Sequence, residues 1–369
     1  MFIKDNWMVK DVLLLTYFKN ITFDVIDRAV ATHNSLNDAI DSGFLQKNIK
    51  NLLVEDLFSN QIDEFSDKVD EQLDLCHNSQ TNIISIYDEN YPYLLKEIPY
   101  PPVLLFVKGN KNLNQFKNIS IVGTRNNSQY GKLVTEKFVE EFVKYDLSII
   151  SGLARGIDSH AHLTALRNNG NTVAVIASGI DKVSPQISAK LAEDMVEKGG
   201  SIVSEYKCGV SAKQGYFPQR NRIISGMSST TLVVESDTKG GSLITARFAF
   251  NQNRDVYAVP GNINSTKSHG TNRLIRENIA QIALNPSDII KSLGIDLIKQ
   301  ENLFAEKQKL ELSEEENIVL NLISSEEIQI DEIINKSNLD SPTVMVKLLE
   351  LEYKGFIKQL PGKHYIKTF

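Results

Sequence analysis

The 369-residue sequence lacks several features that would settle its function directly. It contains only two cysteines, Cys76 and Cys208, far apart and without metal-ligand spacing, so neither a disulfide framework nor a zinc site is indicated. No stretch approaches the roughly 18 apolar residues of a membrane span. The N-terminus MFIKDNWMVKD also lacks the apolar centre of a signal peptide. We therefore expect a cytoplasmic protein that does not engage a membrane.

Acidic residues outnumber basic ones, and the arginines are unevenly distributed. The formal net charge of −6 argues against a polycation that coats nucleic acid nonspecifically. Nine of the ten arginines nevertheless fall between Arg125 and Arg276. The rigid guanidinium fork suits phosphate or carboxylate partners. We therefore expect the cations of this segment to bind partners in a defined geometry. Composition leaves open whether those partners are ligand phosphates or internal acids.

Two common nucleotide-binding motifs are missing. No G-x-x-x-x-G-K-[ST] sequence occurs, so no machinery for ATP hydrolysis is visible. The first glycine turn reads GTRNNSQYG instead of G-x-G-x-x-G, and Ser151-Gly152 stands where an acid that binds ribose is expected. Nicotinamide binding is therefore disfavoured, and we expect no cofactor.

The pattern of apolar residues predicts a helical N-terminal domain over 1–75 and an extended connector over 76–117, where Tyr91-Pro92 and Tyr100-Pro101-Pro102 forbid a regular helix. A domain over 118–295 follows, in which short β-branched runs alternate with helical segments. Such alternation is typical of a doubly wound, mostly parallel α/β sheet. The predicted strands are 119–123, 147–152, 172–178, 201–206, 231–236 and 255–261, and the predicted helices are 131–144, 156–168, 187–198, 218–227 and 241–252.

The C-terminal part has a different pattern. A polar, acidic stretch over 296–311 is typical of a linker. The domain over 312–369 contains helical segments at 314–323, 330–336 and 341–354, followed by a hairpin with Pro361-Gly362 at its turn. Three helices and a hairpin predict a winged helix.

Candidate functional residues follow the predicted strands, because the crevice of an open α/β sheet lies beyond the carboxyl ends of its strands. Glycines at these turns allow backbone N–H groups to approach a ligand, and a helix that begins there directs its positive end at an anion. Arginines beside the turns would complete a phosphate site. The alternative is that the glycines only form tight turns.

Catalytic and metal roles are less well supported. Asp158, His160 and His162 suggest a metal site, but histidines two residues apart on a helix point to different faces. We expect Asp158 to hold a neighbouring loop or to cap its helix. A triad of Ser151, His160 and Asp158 would lack a nucleophile elbow. The sequence thus predicts a binding crevice without a catalytic residue or a metal.

The motifs together resemble one family, the DNA-processing proteins called DprA or Smf. The resemblance rests on VGTRNNSQYG, SGLARGIDSHAH, FPQRNRIISGMS, VVES with GGSLITA, and GTNRLI, and it covers essentially the whole chain. It implies a Rossmann-like central domain, a SAM-like helical domain and a C-terminal winged helix. It also implies a non-catalytic homodimer that binds single-stranded DNA and loads the RecA recombinase onto it during natural transformation.

The resemblance identifies the expected DNA contacts. The family's arginine after the first strand matches Arg125, and those of its FP-x-RNR motif match Arg220 and Arg222. Phosphate contacts that ignore base identity, with stacking on a ring, suit a nonspecific strand binder. The residues expected to contact DNA are Gly123, Thr124, Arg125, Ser151, Gly152, Arg155, Gly156, Gly179, Lys182, Phe217, Arg220, Asn221, Arg222, Gly241 and Ser242.

Three departures from the family pattern bear on binding. Gln186 stands where a lysine is usual, so Lys182 or Lys190 would have to compensate. The turn KNITFD lacks the glycines with which a helix-hairpin-helix grips phosphate. In the winged helix, Lys347 and Lys354 are mixed with acids, so we expect this module to meet a protein.

Two other functions stay open on the sequence alone. Glu235, followed by Gly240-Gly241-Ser242, distantly resembles the loop of nucleotide-cleaving, lysine-decarboxylase-like Rossmann proteins, with the order inverted and the proline absent. Alternatively, the chain is a scaffold whose crevice is only structural.

Overall fold

The computed structural model describes residues 2–4, 6–18, 21–48, 55–297, 312–324 and 327–367. The chain divides into two compact units, Met1–Ile295 and Asp296–Phe369. The finer boundaries at residues 75 and 117 stay predictions. The predicted linker over 296–311 lies almost entirely outside the described residues, as does part of the KNITFD turn.

The first unit begins with a helical region, as predicted. Strands β1 (Phe2–Lys4) and β2 (Trp7–Met8) form a small antiparallel pair ahead of its helices. The indole nitrogen of the fully buried Trp7 donates to the carbonyl of His33 at 2.8 Å, which ties the start of the chain to the end of the second helix. The elements are β1 (Phe2–Lys4), β2 (Trp7–Met8), α1 (Val9–Leu15), α2 (Phe23–Thr32), α3 (Leu36–Asp41), α4 (Phe44–Asn48) and α5 (Glu55–Asn78).

The rest of this unit alternates strands with helices. Short 3₁₀ turns lie at Ile180–Lys182, Gln186–Ser188 and Thr266–Ser268. The elements are β3 (Asn82–Ser85), α6 (Tyr93–Lys96), β4 (Leu104–Gly109), β5 (Lys117–Val122), α7 (Gln129–Lys144), β6 (Leu147–Ser151), α8 (Ile157–Arg167), β7 (Thr172–Ile176), α9 (Ala189–Glu197), β8 (Ser201–Ser204), α10 (Tyr216–Gly226), β9 (Thr230–Val233), α11 (Gly241–Asn251), β10 (Asp255–Ala258), α12 (His269–Arg276), β11 (Gln281–Ile282) and α13 (Pro286–Ser292).

The strands form one nine-stranded sheet in the order β11-β10-β9-β5-β6-β7-β8-β4-β3. The seven strands from β11 to β8 are parallel, whereas β4 is antiparallel to both β8 and β3. The six predicted strands are β5 to β10, and the five predicted helices are α7 to α11. The prediction of a doubly wound, mostly parallel sheet is therefore confirmed. The connector predicted as extended also contributes β3, the short helix α6 and β4.

Alternation along β4 explains how the N-terminal helices attach to the sheet. Leu104 and Phe106 face a core that includes residues of α1, α2, α5 and α9. Leu105 and Val107 face the opposite core, which includes residues of α6, α10 and α11. Because side chains alternate along a strand, one short apolar run supports both layers. The helical region is thus packed on the sheet and shares its core.

The second unit has the predicted winged-helix arrangement of three helices and a small antiparallel sheet, in which β14 (His364–Lys367) lies between β12 (Ile328–Gln329) and β13 (Ile357–Leu360). Gly362, at the hairpin turn, has φ +82°, a conformation that glycine adopts without strain. Lys347 contacts Glu350 at 3.0 Å, and Lys354 pairs with the buried Glu316. The elements are α14 (Glu314–Leu322), β12 (Ile328–Gln329), α15 (Ile330–Ser337), α16 (Ser341–Tyr353), β13 (Ile357–Leu360) and β14 (His364–Lys367).

Among the described residues, none of the helices combines the length and the apolar character needed to cross a membrane.

The shared core predicts that the helical region and the sheet unfold together. Phe106 is 1% exposed, so Phe106→Ala should destabilise this unit by about 3–5 kcal/mol. Hydrogen exchange should show lost protection in α1 and α5 as well as in the sheet. The matched variant Leu348→Ala, in the winged-helix core, should lower only the stability of the second unit. Wild-type protection of α1 and α5 in Phe106→Ala would contradict the shared core.

Candidate nucleic-acid interface

The sheet has its topological switch point between β5 and β9, which are neighbours. The chain leaves β5 for β6 on one side and leaves β9 for β10 on the other, so a crevice opens beyond their carboxyl ends. Two adjoining cavities occupy it. The switch-point cavity, of about 660 Å³, is lined by residues that include Gly123, Thr124, Arg125, Phe217, Arg220, Asn221, Gly241 and Ser242. The outer cavity, of about 460 Å³, is lined by Arg125, Gly152, Ala154, Arg155, Ser184, Pro185, Ile187, Phe217 and Arg220.

The loop after β5 is anchored by a buried acid on the neighbouring strand end. The backbone carbonyl of Glu235 accepts from Thr124 N at 2.8 Å. Its carboxylate accepts from Ser128 N at 2.9 Å and from Ser128 Oγ at 2.5 Å. Ser128 Oγ in turn accepts from Gly131 N at 3.0 Å and caps α7. The loop that carries Arg125 is therefore fixed at both ends.

The loop after β6 requires glycine at two positions. At Gly152 a Cβ would lie 2.8 Å from Asp158 Oδ2 and from Arg220 Nη2. Gly156 has φ +83°, and a Cβ there would collide with the backbone of Thr124 and Arg125. The two loops consequently touch, and Ile157 N donates to Thr124 O at 3.2 Å. The glycines serve close approach of backbone to backbone as well as turn formation.

Arg220 is built into the wall of the crevice. It is 5% exposed, and its Nη1 donates to the carbonyls of Gly152, at 2.8 Å, and of Val175 in β7. Asp158 lies beside it and accepts from Gly152 N at 3.2 Å and Ala154 N at 3.4 Å. The expectation that Asp158 holds a neighbouring loop is met. Arg220 thus joins α10, β7 and the loop after β6 at one point.

Burial shapes the ionisation of this pair. Desolvation raises the pKa of Asp158 to about 6, although the charge of Arg220 and two backbone N–H groups oppose the rise. Desolvation also lowers the pKa of Arg220 to about 10, opposed by Asp158. Both groups are charged near pH 7, and their opposite charges offset each other, so the wall carries little net charge.

The accessible cations are Arg125 and Arg155. Both are exposed and line the outer cavity, and Arg125 lines the switch-point cavity as well. The guanidinium of Arg125 lies 5.5 Å from the centre of the Phe217 ring. Both side chains line both cavities, so this contact, within cation–π range, places a charge and a ring on the same surface.

The N-terminus of α11 forms the far wall of the switch-point cavity. Gly240 is its N-cap, and no side chain caps it. A Cβ at Gly241 would meet nothing within 4 Å, so the space beyond it is open. Asn221 Nδ2 donates to Gly241 O at 3.4 Å and links α10 to this turn. An uncapped helix start beside an open cavity favours an anion.

Five expected contact residues do not line these two cavities. Ser151 is buried and donates to Ile121 O at 2.6 Å. Gly156 lies beneath the Arg125 loop, and Gly179 N donates to Val210 O at 2.7 Å. Lys182 lines a third cavity of about 910 Å³, together with Lys108 and Gln186. Arg222 pairs with Glu205 at 2.5 Å.

The histidines of α8 do not converge. His162 is fully buried, its Nδ1 lies 2.7 Å from Thr172 Oγ1, and burial lowers its pKa to about 3. His160 is partly exposed, and burial also lowers its pKa. Within the described part of the chain, no three His, Cys, Asp or Glu residues are grouped as metal ligands would be.

Several lining residues were missed by the sequence analysis. Ile187 is 76% exposed at the outer cavity, next to Ser184 and Pro185. Gln214 and Ile244 line the switch-point cavity. Their segments adjoin the strand-end motifs, but no feature of these residue types indicates a ligand.

Comparison with known proteins agrees with this architecture. A family model described as "DNA recombination-mediator protein A" matches residues 82–294, and one described as "DprA winged helix domain" matches residues 305–363. The first covers the whole nine-stranded sheet and its crevice.

Relatives and solved structures extend the match. Protein Smf of Escherichia coli is 36% identical over 295 residues, and the match covers 78% of each chain. DNA processing protein DprA of Streptococcus pneumoniae is 40% identical over 206 residues, and the match covers 56% of this chain and 72% of that protein. The X-ray structure of the Streptococcus pneumoniae protein superposes with a TM-score of 0.66 at 30% identity, over 79% of this chain and 99% of that one. The structure of DNA processing protein A from Helicobacter pylori, whose title describes a single-stranded DNA binding mode, superposes with a TM-score of 0.53 at 29% identity, over 58% of this chain and 95% of that one. The chain therefore belongs to the DprA family of DNA recombination-mediator proteins, whose members are also called Smf.

Proposed function

We propose that this protein binds single-stranded DNA, without sequence preference, along the crevice at the switch point, and that it hands the strand to the RecA recombinase during DNA uptake. It acts as a cytoplasmic, non-catalytic homodimer. The observation that carries the proposal is the meeting of two exposed guanidinium groups with an uncapped helix start at one open crevice. A single-stranded DNA binding mode is described for the Helicobacter pylori relative, which supports the choice of ligand.

Phosphate groups are the feature that every single strand presents. Arg125 and Arg155 reach into the outer cavity from two different loops, so they suit successive phosphates of one strand. The first turn of α11 supplies backbone dipoles across the switch-point cavity. Contacts to phosphate carry no information about the bases, which fits sequence-tolerant binding.

Phe217 provides the apolar part of the proposed site. Its ring is half-buried and borders both cavities, so one face is available to a base. Stacking on an aromatic ring ignores base identity because every base has a flat face. Ile187, exposed at the outer cavity, adds apolar surface beside it.

The position of Lys182 bears on the lysine that Gln186 replaces. Lys182, Lys108 and Gln186 line the same third cavity, which meets the outer cavity at Ser184. Lys190 is instead ion-paired with Asp194 at 3.0 Å. We propose that the strand continues past Ser184 and that Lys182 replaces the absent lysine.

The geometry disfavours the alternative of a nucleotide-cleaving enzyme. Such a reaction needs a carboxylate free to approach the sugar or its leaving base. Both carboxylate oxygens of Glu235 accept hydrogen bonds from Ser128, and Asp158 is occupied by backbone N–H groups beside Arg220. The acids nearest the crevice therefore hold its loops.

We expect Arg125→Ala to weaken binding of any single-stranded oligonucleotide by about 10- to 100-fold, because one charge-assisted hydrogen bond to phosphate is lost. The slope of log affinity against log salt concentration should flatten by about 0.7. Fluorescence anisotropy across a salt series measures both quantities. RecA assembly on the strand should slow in proportion to the lost binding.

Arg167→Ala is the matched control, because Arg167 is exposed at the other end of α8, away from the crevice. Its affinity and salt slope should equal those of the wild type. Wild-type affinity and salt slope in Arg125→Ala would overturn the proposed site. Normal DNA binding with no effect on RecA assembly would remove only the proposed handover.

Phe217→Ala should weaken binding by about 5- to 100-fold through the loss of stacking, with little change in the salt slope. Phe217→Tyr, which keeps the ring, should bind like the wild type. The same anisotropy titration separates this behaviour from that of Arg125→Ala. If Phe217→Ala flattened the salt slope and Phe217→Tyr failed to restore affinity, the ring would be acting through Arg125 rather than on bases.

Incubation with nucleoside monophosphates or with single-stranded DNA should release no free base, because Asp158 and Glu235, the acids that the described residues place at the crevice, accept hydrogen bonds from its loops instead of facing a sugar. Chromatography of the reaction mixture measures this directly. Base release that scales with protein concentration and disappears in Glu235→Gln would replace binding by catalysis as the function of the crevice.

A further inference from the structure

The only two cysteines of the chain meet in the folded protein. Cys76 lies near the end of α5 and Cys208 follows β8, 132 positions later, yet their sulfur atoms are 3.7 Å apart. Each residue is 4% exposed. Their separation in sequence hid this contact, and the proposed DNA site does not use it.

Hydrogen bonds hold the backbone that carries Cys208 in place from two sides. The buried Gln72, one turn before Cys76, brackets Cys208 when its amide is oriented to satisfy both of its polar atoms: its oxygen accepts from Cys208 N at 2.9 Å and its nitrogen donates to Cys208 O at 3.2 Å. On the other side, Gly209 N donates to Asp181 Oδ1 at 2.8 Å. The segment that carries Cys208 is therefore tied both to α5 and to the loop after β7.

A small molecule has a route to this pair. Cys76 lines a surface cavity of about 410 Å³, together with Met8, Leu73, His77 and Thr81. The cavity is large enough for hydrogen peroxide, whereas a protein thiol could not approach a sulfur buried at this depth.

The surroundings also favour a reactive form of one sulfur. The hydrogen bond from the Cys76 thiol is the largest influence on the pKa of Cys208 and lowers it. Hydrogen bonds from Ser79 and Thr81 lower this pKa further, whereas burial raises it. The same hydrogen bond and burial raise the pKa of Cys76. A thiol next to a stabilised thiolate is the arrangement in which a disulfide forms readily.

We propose that Cys76 and Cys208 are a redox modification site, at which a peroxide converts the two thiols to an intramolecular disulfide that joins α5 to the segment after β8. One sulfur is first oxidised by hydrogen peroxide to a sulfenic acid, which releases one water. The other sulfur then attacks it, forms the S–S bond and releases a second water. The two thiols lose two electrons and two protons in total, and the peroxide is reduced to two waters.

The geometry makes this closure local. The sulfur atoms must move from 3.7 Å to the bonding distance of about 2.05 Å, which small side-chain rotations on the two segments would supply. The bond would close a loop of more than one hundred residues, so it constrains the unfolded chain strongly. It would staple the helical region to the sheet with which that region already shares a core.

The test uses the reduced, full-length protein treated with stoichiometric hydrogen peroxide. We expect both free thiols to disappear together, the mass to fall by two hydrogens, and a non-reducing peptide map to contain the Cys76–Cys208 pair. The melting temperature of the first unit should rise by roughly 5 °C or more and return after treatment with dithiothreitol.

The variants Cys76→Ser and Cys208→Ser are the matched controls. Each should give a mass gain of oxygen on its remaining sulfur and no rise in melting temperature. Two intact thiols in the oxidised wild type, or two sulfurs that oxidise independently without a linked peptide, would overturn the proposal. None of these readouts involves DNA, so the result is independent of the proposed binding function.

Discussion

The crevice depends on a buried arginine and its carboxylate partner more than on any exposed cation. Arg220 reaches from α10 to the carbonyls of Gly152 and Val175, and Asp158 receives the N–H groups of Gly152 and Ala154. One charged pair therefore fixes a helix, a strand and a loop relative to one another. Loss of either partner would leave an uncompensated buried charge, which typically destabilises a protein by about 3–5 kcal/mol. Arg155 is displayed on the loop that this pair holds in place, and the loop that carries Arg125 packs against that loop.

This arrangement makes the crevice rigid before any ligand arrives. Glu235 fixes the loop after β5, and the contact between Gly156 and the Arg125 backbone fixes the two loops against each other. A site whose loops are already ordered loses less conformational entropy on binding. The proposed ligand, a flexible single strand, would lose much of its own freedom on binding, so rigidity on the protein side is the contribution that the fold can make. In this crevice the carboxylates hold the loops in place. One guanidinium group is also structural, whereas the others are exposed on the surface.

The sequence predicted most of the fold because its strands are nearly continuous apolar runs, which only a sheet covered on both faces accommodates. It also predicted the crevice, since parallel strands place their ends at one edge. It could not divide the arginines by role. Arg220 and Arg222 stand two positions apart on α10 and so point to different sides, one into the crevice wall and the other to Glu205. The motif contains both residues, but only the packing of α10 decides which one meets the crevice.

For a similar reason, the sequence could not predict which distant segments contact each other. Nothing in the local pattern around Cys76 or Cys208 indicates that α5 packs beside the segment after β8.

The charge pattern of the winged helix, in contrast, could be predicted, because its mixture of basic and acidic residues is visible in the sequence. The structure places Lys347 and Lys354 in ion pairs with glutamates, while Met345, Leu349 and Tyr353 are exposed on α16. A helix whose cations are already neutralised and whose outer face is apolar is poorly suited to phosphate. An acidic chain can therefore still present a crevice that suits a polyanion, because Arg125 and Arg155 are exposed there while Asp158 and Glu235 hold its loops.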